Sequence, residues 1–400
     1  MGEAERYAEY MHKLVDRVMR EIGPRESCSE EERRLGRLFA EEVGEACSEV
    51  RVEEFTCSPK AFLGFFPFLV AGYLAALVLY YVLPPISLII TSVCVGILFF
   101  EVVRYREFID FLFPRRKGEN VIGVIPPEGE RRKRLIISAH LDSAYEFKVW
   151  YWLKGLAVPA MVLAFTGPLV LLAASLARTV AGSTGMPDST AFRVLGYICI
   201  AFVPVVLPFA VFHTRDVVPG AMDDMAGVSV LCGLARYLRE ARERGGFRPR
   251  QTEVLLVAMS AEEAGLRGAK RYAARHRREF MSIPTYAVFL DGIYDEKYLT
   301  AFKRELWCGA TMDPYLVDLA REAARDNGYP MKVTVMLVGA TDGSAFARAG
   351  IPSISICCQD TSRLVPHYHT RLDTIENVRP ESLATTLQLV IDMLRKIDGG

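Results

Sequence analysis

Residues 61–100 contain no Asp, Glu, Lys or Arg, and only Pro84-Pro85 interrupts the run. A helix in a globular core seldom needs more than about 14 apolar residues, whereas about 20 cross a bilayer. The run is therefore expected to form two spans, 61–82 and 86–103, joined by a tight proline turn. A second pair, 155–177 and 194–212, is also uncharged and is flanked by Arg178 and Arg193. Pro159, Pro168, Pro204 and Pro208 sit more easily in kinked membrane helices than in soluble ones. The hydrophobic content of 51% is thus concentrated in four expected transmembrane spans rather than spread along the chain. Whatever else folds here must fold around two helical hairpins.

The remaining sequence is polar and balanced. With 48 basic and 48 acidic side chains, no global bias toward nucleic acid is present. Residues 1–55 are charged and helical in pattern, so no secretory leader is expected. Of nine cysteines, only Cys357-Cys358 are adjacent, and Cys94 and Cys199 fall inside expected spans, which suits a reduced, cytosolic setting. Charge around the spans agrees. Lys60, Arg104, Arg106, Arg115, Arg116, Lys117, Lys148 and Arg215 lie on the side continuous with the polar sequence. The turn at Pro84 carries no basic residue and the 178–193 loop only two, so an integral, multi-pass protein with a cytoplasmic polar domain is expected.

Two amphipathic helices are expected at 3–21 and 29–46, split at Gly23-Pro24, with Ser29 and Glu32 spaced as a capping box. Strands are expected at 49–55, 120–125 and 134–139. After the second hairpin the pattern alternates: helix 226–243, strand 253–259, helix 265–280, strand 286–290, helix 313–327, strand 332–338, helix 343–349, strand 352–356, helix 380–397. Such alternation predicts an α/β domain with a mostly parallel sheet and helices on both faces. Each hairpin returns to the side it left, so residues 1–60, 105–148 and 214–400 are expected to form one discontinuous domain, with 61–104 and 149–213 as inserted hairpins.

Acid and imidazole groups recur at the ends of the expected strands. His140 and Asp142 follow one strand in SAHLDS, although a lone His-x-Asp there is more often structural. Asp223 and Asp224 sit in a PGAMDD turn before a helix, where a carboxylate can bridge two cations or simply cap the helix. Glu262 and Glu263 close the strand EVLLVAMS, at the carboxyl edge where α/β sites lie. One of them can ligate metal while its neighbour takes a proton from water. Asp291 ends YAVFL, and His369 lies in PHYHT with His367 as its rival, which spacing does not separate. Each signal is weak alone; their joint occurrence in one domain points to a metal-dependent hydrolase.

In this order the residues resemble the co-catalytic dizinc aminopeptidases of metallopeptidase family twenty-eight. The flanks IGPRESCSEEE, NVIGVI, SAEEAGLRG, TDGSAFARAGIPSISI and YHTRLDT agree, covering the whole polar part. The resemblance implies His140, Asp223 and Asp291 on one zinc, and Asp223, Glu263 and His369 on the other. It assigns Glu262 as general base and gives Asp142 the task of orienting His140. Gly227, four positions on, selects Asp223 over Asp224, and the preceding tyrosine selects His369 over His367. Two zinc ions are the expected cofactors, with cobalt or manganese as substitutes. The implied activity is peptide hydrolysis on a peptide substrate. Alternatives are a related amidohydrolase, a glutaminyl-cyclase-like acyltransferase, or an inactive membrane receptor or scaffold on the same fold.

Two departures stand out. His140 and Asp223 are 83 residues apart, separated by the second hairpin, and Met225-Ala226 replaces the small polar residues expected after the bridging Asp. Lys148 lies six residues after Asp142, and Arg215 eight before Asp223. Chain reach then places the metals within roughly 20–30 Å of a bilayer surface. Tyr145, Glu146 and Asp342 are candidates for lining the substrate pocket.

Overall fold

The computed structural model describes residues 3–185 and 189–399. Residues 186–188 of the expected 178–193 loop lie outside the described residues. The chain divides into two compact units: Met1–Pro59, Arg115–Tyr145 and Val217–Gly400 form one, Lys60–Pro114 and Glu146–Asp216 the other.

The first unit is built on a nine-stranded sheet. In chain order its strands are β1 (Glu49–Cys57), β2 (Arg116–Ile125), β3 (Lys133–His140), β4 (Thr252–Met259), β5 (Thr285–Ile293), β6 (Leu299–Glu305), β7 (Ala310–Thr311), β8 (Lys332–Met336) and β9 (Ser353–Cys358). They lie side by side as β1-β2-β4-β3-β5-β9-β6-β8, with β7 on β6. The centre is parallel: β3 runs alongside both β4 and β5, and β5 alongside β9. β2 pairs antiparallel with β1 and β4, and β9 antiparallel with β6. The mixed α/β architecture with a largely parallel central sheet matches the alternation in the sequence.

Successive side chains of a strand point to opposite faces, and the apolar residues here serve both. Leu135, Ile137, Ala139, Val288 and Leu290 enter one core with helices Glu5–Glu21, Ala226–Arg244 and Pro380–Gly399. Phe289 faces the other way, its ring 4.8 Å from Phe346, which in turn meets Phe280 and Tyr272. Each buried Leu, Ile, Val or Phe among them contributes roughly 1.5–3 kcal/mol. Ser29 caps helix Glu30–Gly44 by accepting the Glu32 N–H at 3.2 Å. The Glu32 carboxylate does not return to Ser29; it takes the Cys28 N–H at 2.7 Å and becomes part of the site described below.

Three differences from the sequence reading have identifiable causes. Leu299–Glu305 is a strand that periodicity hides, because polar Thr300 and Glu305 are buried along with its apolar residues. Helix Arg267–Phe280 starts two residues after the expected 265, because Ala261, Gly265 and Leu266 adopt left-handed backbone in a tight turn. Residues 105–114 belong with the apolar unit, anchored where the Ile109 N–H donates to Glu101 at 2.7 Å and the Phe100 and Phe108 rings meet at 5.0 Å.

Among the described residues the second unit contains four helices long and apolar enough to cross a membrane: Ala61–Val82, Pro84–Val103, Lys148–Ser183 and Thr190–Val211. Phe68, Val78, Val82, Val93, Val162 and Leu169 are exposed on their outer surfaces. Several polar groups turn inward and are hydrogen-bonded. Ser87 Oγ donates to the Ala76 carbonyl at 2.7 Å and lies 2.8 Å from Ser175 Oγ. Tyr73 and Tyr80 hydroxyls donate to the carbonyls of Cys199 and Phe192.

Candidate metal centre

The carboxyl ends of β3, β4 and β5 bring their loops together. His140 is the last residue of β3, Glu262 and Glu263 follow β4, and Asp291 lies near the end of β5. Asp223 reaches the same place from a turn opened by Gly220, whose φ of +68° is left-handed. The peptide bond joining Asp223 and Asp224 is cis.

Asp223 sits between two imidazoles. Its Oδ1 lies 3.0 Å from His140 Nε2 and its Oδ2 3.1 Å from His369 Nε2. His369 Nε2 is also 3.4 Å from Glu263 Oε1. Ligand atoms of His140, Asp223 and Glu263 all fall within 4.8 Å of one another. Asp291 joins through charge: burial, then the nearby Asp223 carboxylate, pushes it up to about 7. Asp224 points elsewhere, accepting the His140 N–H at 3.1 Å and the Gly227 N–H at 3.2 Å. His367 is turned away as well. Its ring packs edge-on against Tyr294 at 4.7 Å, and burial followed by the Arg363 charge lowers it to about 4.

Around this cluster negative charge is in excess. Burial raises Glu262 and Glu263 well above the usual carboxylate range, and neighbouring acids add to the rise in both. Asp342 is raised to about 8 by burial and by the charges of Asp142 and Asp291, although His140 opposes the rise. Glu263 Oε1 is buried and makes no hydrogen bond among the described residues. A bare carboxylate oxygen in such a place costs several kcal/mol unless something positive compensates it. Imidazole and carboxylate donors gathered in this way suit zinc, so the residues fit a divalent cation.

A layer of supporting groups fixes the geometry, and most of it carries no spacing signature. Asp142 does more than orient His140. The nearest partner of His140 Nδ1 is the Asp142 carbonyl at 3.0 Å, with the carboxylate at 3.4 Å. The Asp142 carboxylate accepts the backbone N–H groups of Glu262 and Glu263 at 3.1 and 3.0 Å and the Ser27 hydroxyl at 2.5 Å. It therefore positions both glutamates. Asp373 accepts the N–H groups of Met222 and Asp223 at 2.8 and 3.2 Å. Glu32 accepts from the Ala261 N–H at 2.8 Å and the Ser260 hydroxyl at 2.9 Å, bracing the turn before Glu262. Glu305, on the strand missed in the sequence, accepts the Thr341 N–H at 2.9 Å beside Asp342.

Arg25 is the group that the sequence least foretells. Its guanidinium is fully buried and donates to the carbonyls of Leu141 (2.8 Å), Gly23 (2.9 Å), Pro219 (2.9 Å) and Gly220 (2.8 Å). It thus ties the chain just after His140 to the chain just before Asp223, across the 83-residue gap. Burial pushes it down to about 10, although the charges of Asp373, Asp142 and Asp224 hold it up. Tyr145 hydrogen-bonds Glu26 through its hydroxyl.

Comparisons with known proteins agree with this architecture. Residues 205–394 match the family model of peptidase family M28, a stretch that carries Asp223, Glu263, Asp291 and His369, with His140 before it. Aminopeptidase YwaD of Bacillus subtilis (strain 168) is 29% identical over 176 residues, 43% of this chain and 36% of the relative. The chain thus spans about a third of that relative's length. A zinc aminopeptidase from Bacillus subtilis shares the fold with a TM-score of 0.57 at 15% identity, covering 98% of this chain and 94% of that one. An Acidobacteriales bacterium glutaminyl cyclase gives 0.56 at 14% identity, over 98% and 94%. Over residues 205–394 the chain is thus similar to peptidase family M28.

Proposed function

We propose that this chain is a membrane-anchored, zinc-dependent aminopeptidase. The observation that carries the reading is Asp223, whose two carboxylate oxygens each face a different imidazole, with the bare Glu263 oxygen beside them. His140, Asp223 and Asp291 would hold one zinc ion, and Asp223, Glu263 and His369 a second. Bound there, the ions would acidify water and polarise the scissile carbonyl. Glu262 acts as general base, taking a proton from the attacking water and delivering it to the leaving amine. Asp142 keeps Glu262 and Glu263 in register through their backbone N–H groups.

Support for peptide substrates comes from the family and from the relatives named aminopeptidases. The four apolar helices support membrane anchorage. Because few residues separate the ligands from the hairpin, substrates presented near a bilayer surface are expected. The glutaminyl cyclase of similar fold keeps a second reading open: cyclisation of an amino-terminal glutamine.

The deciding experiment measures zinc in detergent-purified wild type and in a His140→Ala, Asp223→Ala double variant, with aminoacyl amides and a glutaminyl peptide assayed in parallel. About two zinc per chain, lost in the double variant together with amino-acid release, is the expected result. Pyroglutamate as the sole product would favour the cyclase, and folded, metal-free, inactive wild type would remove the enzymatic reading.

A further inference from the structure

Two cysteines lie together behind the turn that carries Glu262 and Glu263. Cys28 Sγ is 3.6 Å from Cys57 Sγ, and both side chains are buried. They form a small apolar cluster with Phe55, Ala261 and Ala264. Cys28 belongs to the loop that places Arg25 and Ser27, whereas Cys57 ends β1. Cys28 is also one hydrogen-bonded residue away from the glutamate turn, since Glu32 accepts both its N–H and that of Ala261. The fold thus holds two thiols, 29 positions apart in sequence, side by side at a mechanically important joint.

We propose that Cys28 and Cys57 are a thiol–disulfide site, oxidised by a small peroxide to a cross-link that staples the 24–28 loop to β1. Disulfide sulfurs sit about 2.05 Å apart, so side-chain rotation must close the remaining gap. The chemistry balances with hydrogen peroxide as oxidant. One thiol loses its proton and attacks a peroxide oxygen, the O–O bond breaks, and a sulfenic acid forms as water leaves. The second thiol then attacks that sulfur and displaces a second water molecule. Each peroxide accepts two electrons, and the two sulfurs are oxidised together.

Burial makes this a slow staple rather than a fast sensor. The neighbouring Cys57, followed by burial, raises the Cys28 thiol far above its ordinary value, so little thiolate is present at neutral pH. A small, uncharged oxidant is favoured over a bulky disulfide, because little of either sulfur is open to solvent. Once formed, the cross-link closes a loop and restricts the unfolded chain. Its native-state effect falls on Arg25, Ser27 and Glu32, which support the ligands without touching substrate.

The test uses the full-length protein in detergent. Wild type and Cys28→Ser are treated with hydrogen peroxide, alkylated after denaturation, digested and mapped by mass spectrometry, with thermal unfolding followed in parallel. The expected result is a linked peptide joining residues 28 and 57 in wild type, reversed by dithiothreitol and absent from the variant. Oxidised wild type should also unfold at a midpoint about 5 °C higher or more, with no rise in Cys28→Ser. The proposal is overturned if both thiols remain alkylatable, if either pairs with another cysteine, or if either stops at the sulfinic acid. A link that forms without raising the midpoint removes the stapling role. Cys57→Ala gives the same comparison from the other partner, should Cys28→Ser fold poorly.

Discussion

The guanidinium of Arg25 donates only to carbonyl oxygens, and a planar fork is what four carbonyls in three chain segments require. Lysine keeps the charge but has three donors on a single nitrogen, so at least one buried carbonyl and the geometry of the fork are lost. Arg25→Lys should therefore cost about 2–4 kcal/mol, read as a lower unfolding midpoint, and should weaken metal retention because Leu141 and Gly220 are no longer tied. An unchanged midpoint would show that the two segments are held by other means. Glu262→Gln tests a different property. The amide keeps the shape and cannot accept the proton, so turnover should fall by about 100-fold or more while zinc content holds. Loss of zinc along with activity would instead make Glu262 a ligand. Asp223 and Asp224 illustrate how far sequence carries at this scale. Adjacent acids are equivalent in composition, yet one faces two imidazoles and the other the backbone of His140 and Gly227.

At the level of elements, the turn opened by Gly220 shows why glycine is needed. A Cβ there would stand 2.4 Å from Ser143 Cβ and 2.8 Å from the Asp223 carbonyl oxygen, with φ at +68°. Gly220→Ala should displace the Asp223 turn and cost at least about 1–2 kcal/mol from backbone conformation alone, detected by thermal unfolding and by zinc content; a variant matching wild type in both would contradict this. The opposite end of the sheet gives a pH prediction. Asp398 accepts the N–H groups of Arg250, Gln251 and Thr252 at 2.8–2.9 Å where β4 begins. Burial raises this carboxyl, but those donors win and hold it below its ordinary value. The stabilisation is therefore present above the unfolded carboxyl value of about 3.9 and is lost as pH falls through the lower folded value. Asp398→Asn should cost about 1 kcal/mol near pH 7 after allowance for solvent screening, and urea midpoints of variant and wild type should converge in strong acid. A constant gap at both pH values would rule out the titration. The alternation of helices and strands was legible in the sequence because each central strand is apolar and bounded by charged helices. Leu299–Glu305 was not, since its buried Glu305 serves Thr341 and breaks the apolar pattern. The site contacts of Arg25, Glu32 and Asp373 stayed hidden for a related reason: they reach backbone groups distant in sequence, and such contacts leave no spacing to read.

Across the whole molecule, one constraint governs how a discontinuous domain can coexist with four apolar helices. Two crossing helices in each insertion would return the chain to the side it left, which is compatible with three polar segments completing one sheet. Four crossing spans would put Leu83 and Thr184 on one side of a bilayer and the polar segments on the other, which is the proposed topology. Lys60, Arg104, Arg106, Lys148 and Arg215 flank the apolar helices at the ends continuous with the polar segments, so under the proposed topology the positive-inside rule predicts a cytoplasmic polar unit. This arrangement is open to a labelling experiment. All nine native cysteines are at least partly buried, so wild type serves as a low-background control for a membrane-impermeant maleimide. Leu83, Thr184 and Glu130 are exposed positions for single cysteine replacements. Leu83→Cys and Thr184→Cys should label in intact cells, and Glu130→Cys only after the membrane is opened. The reverse pattern would place the metal centre outside the cytoplasm. That outcome would also put Cys28 and Cys57 where oxidants are plentiful, making their cross-link the resting state of the protein rather than a response. Labelling of all three from outside would show that the apolar helices do not cross the membrane.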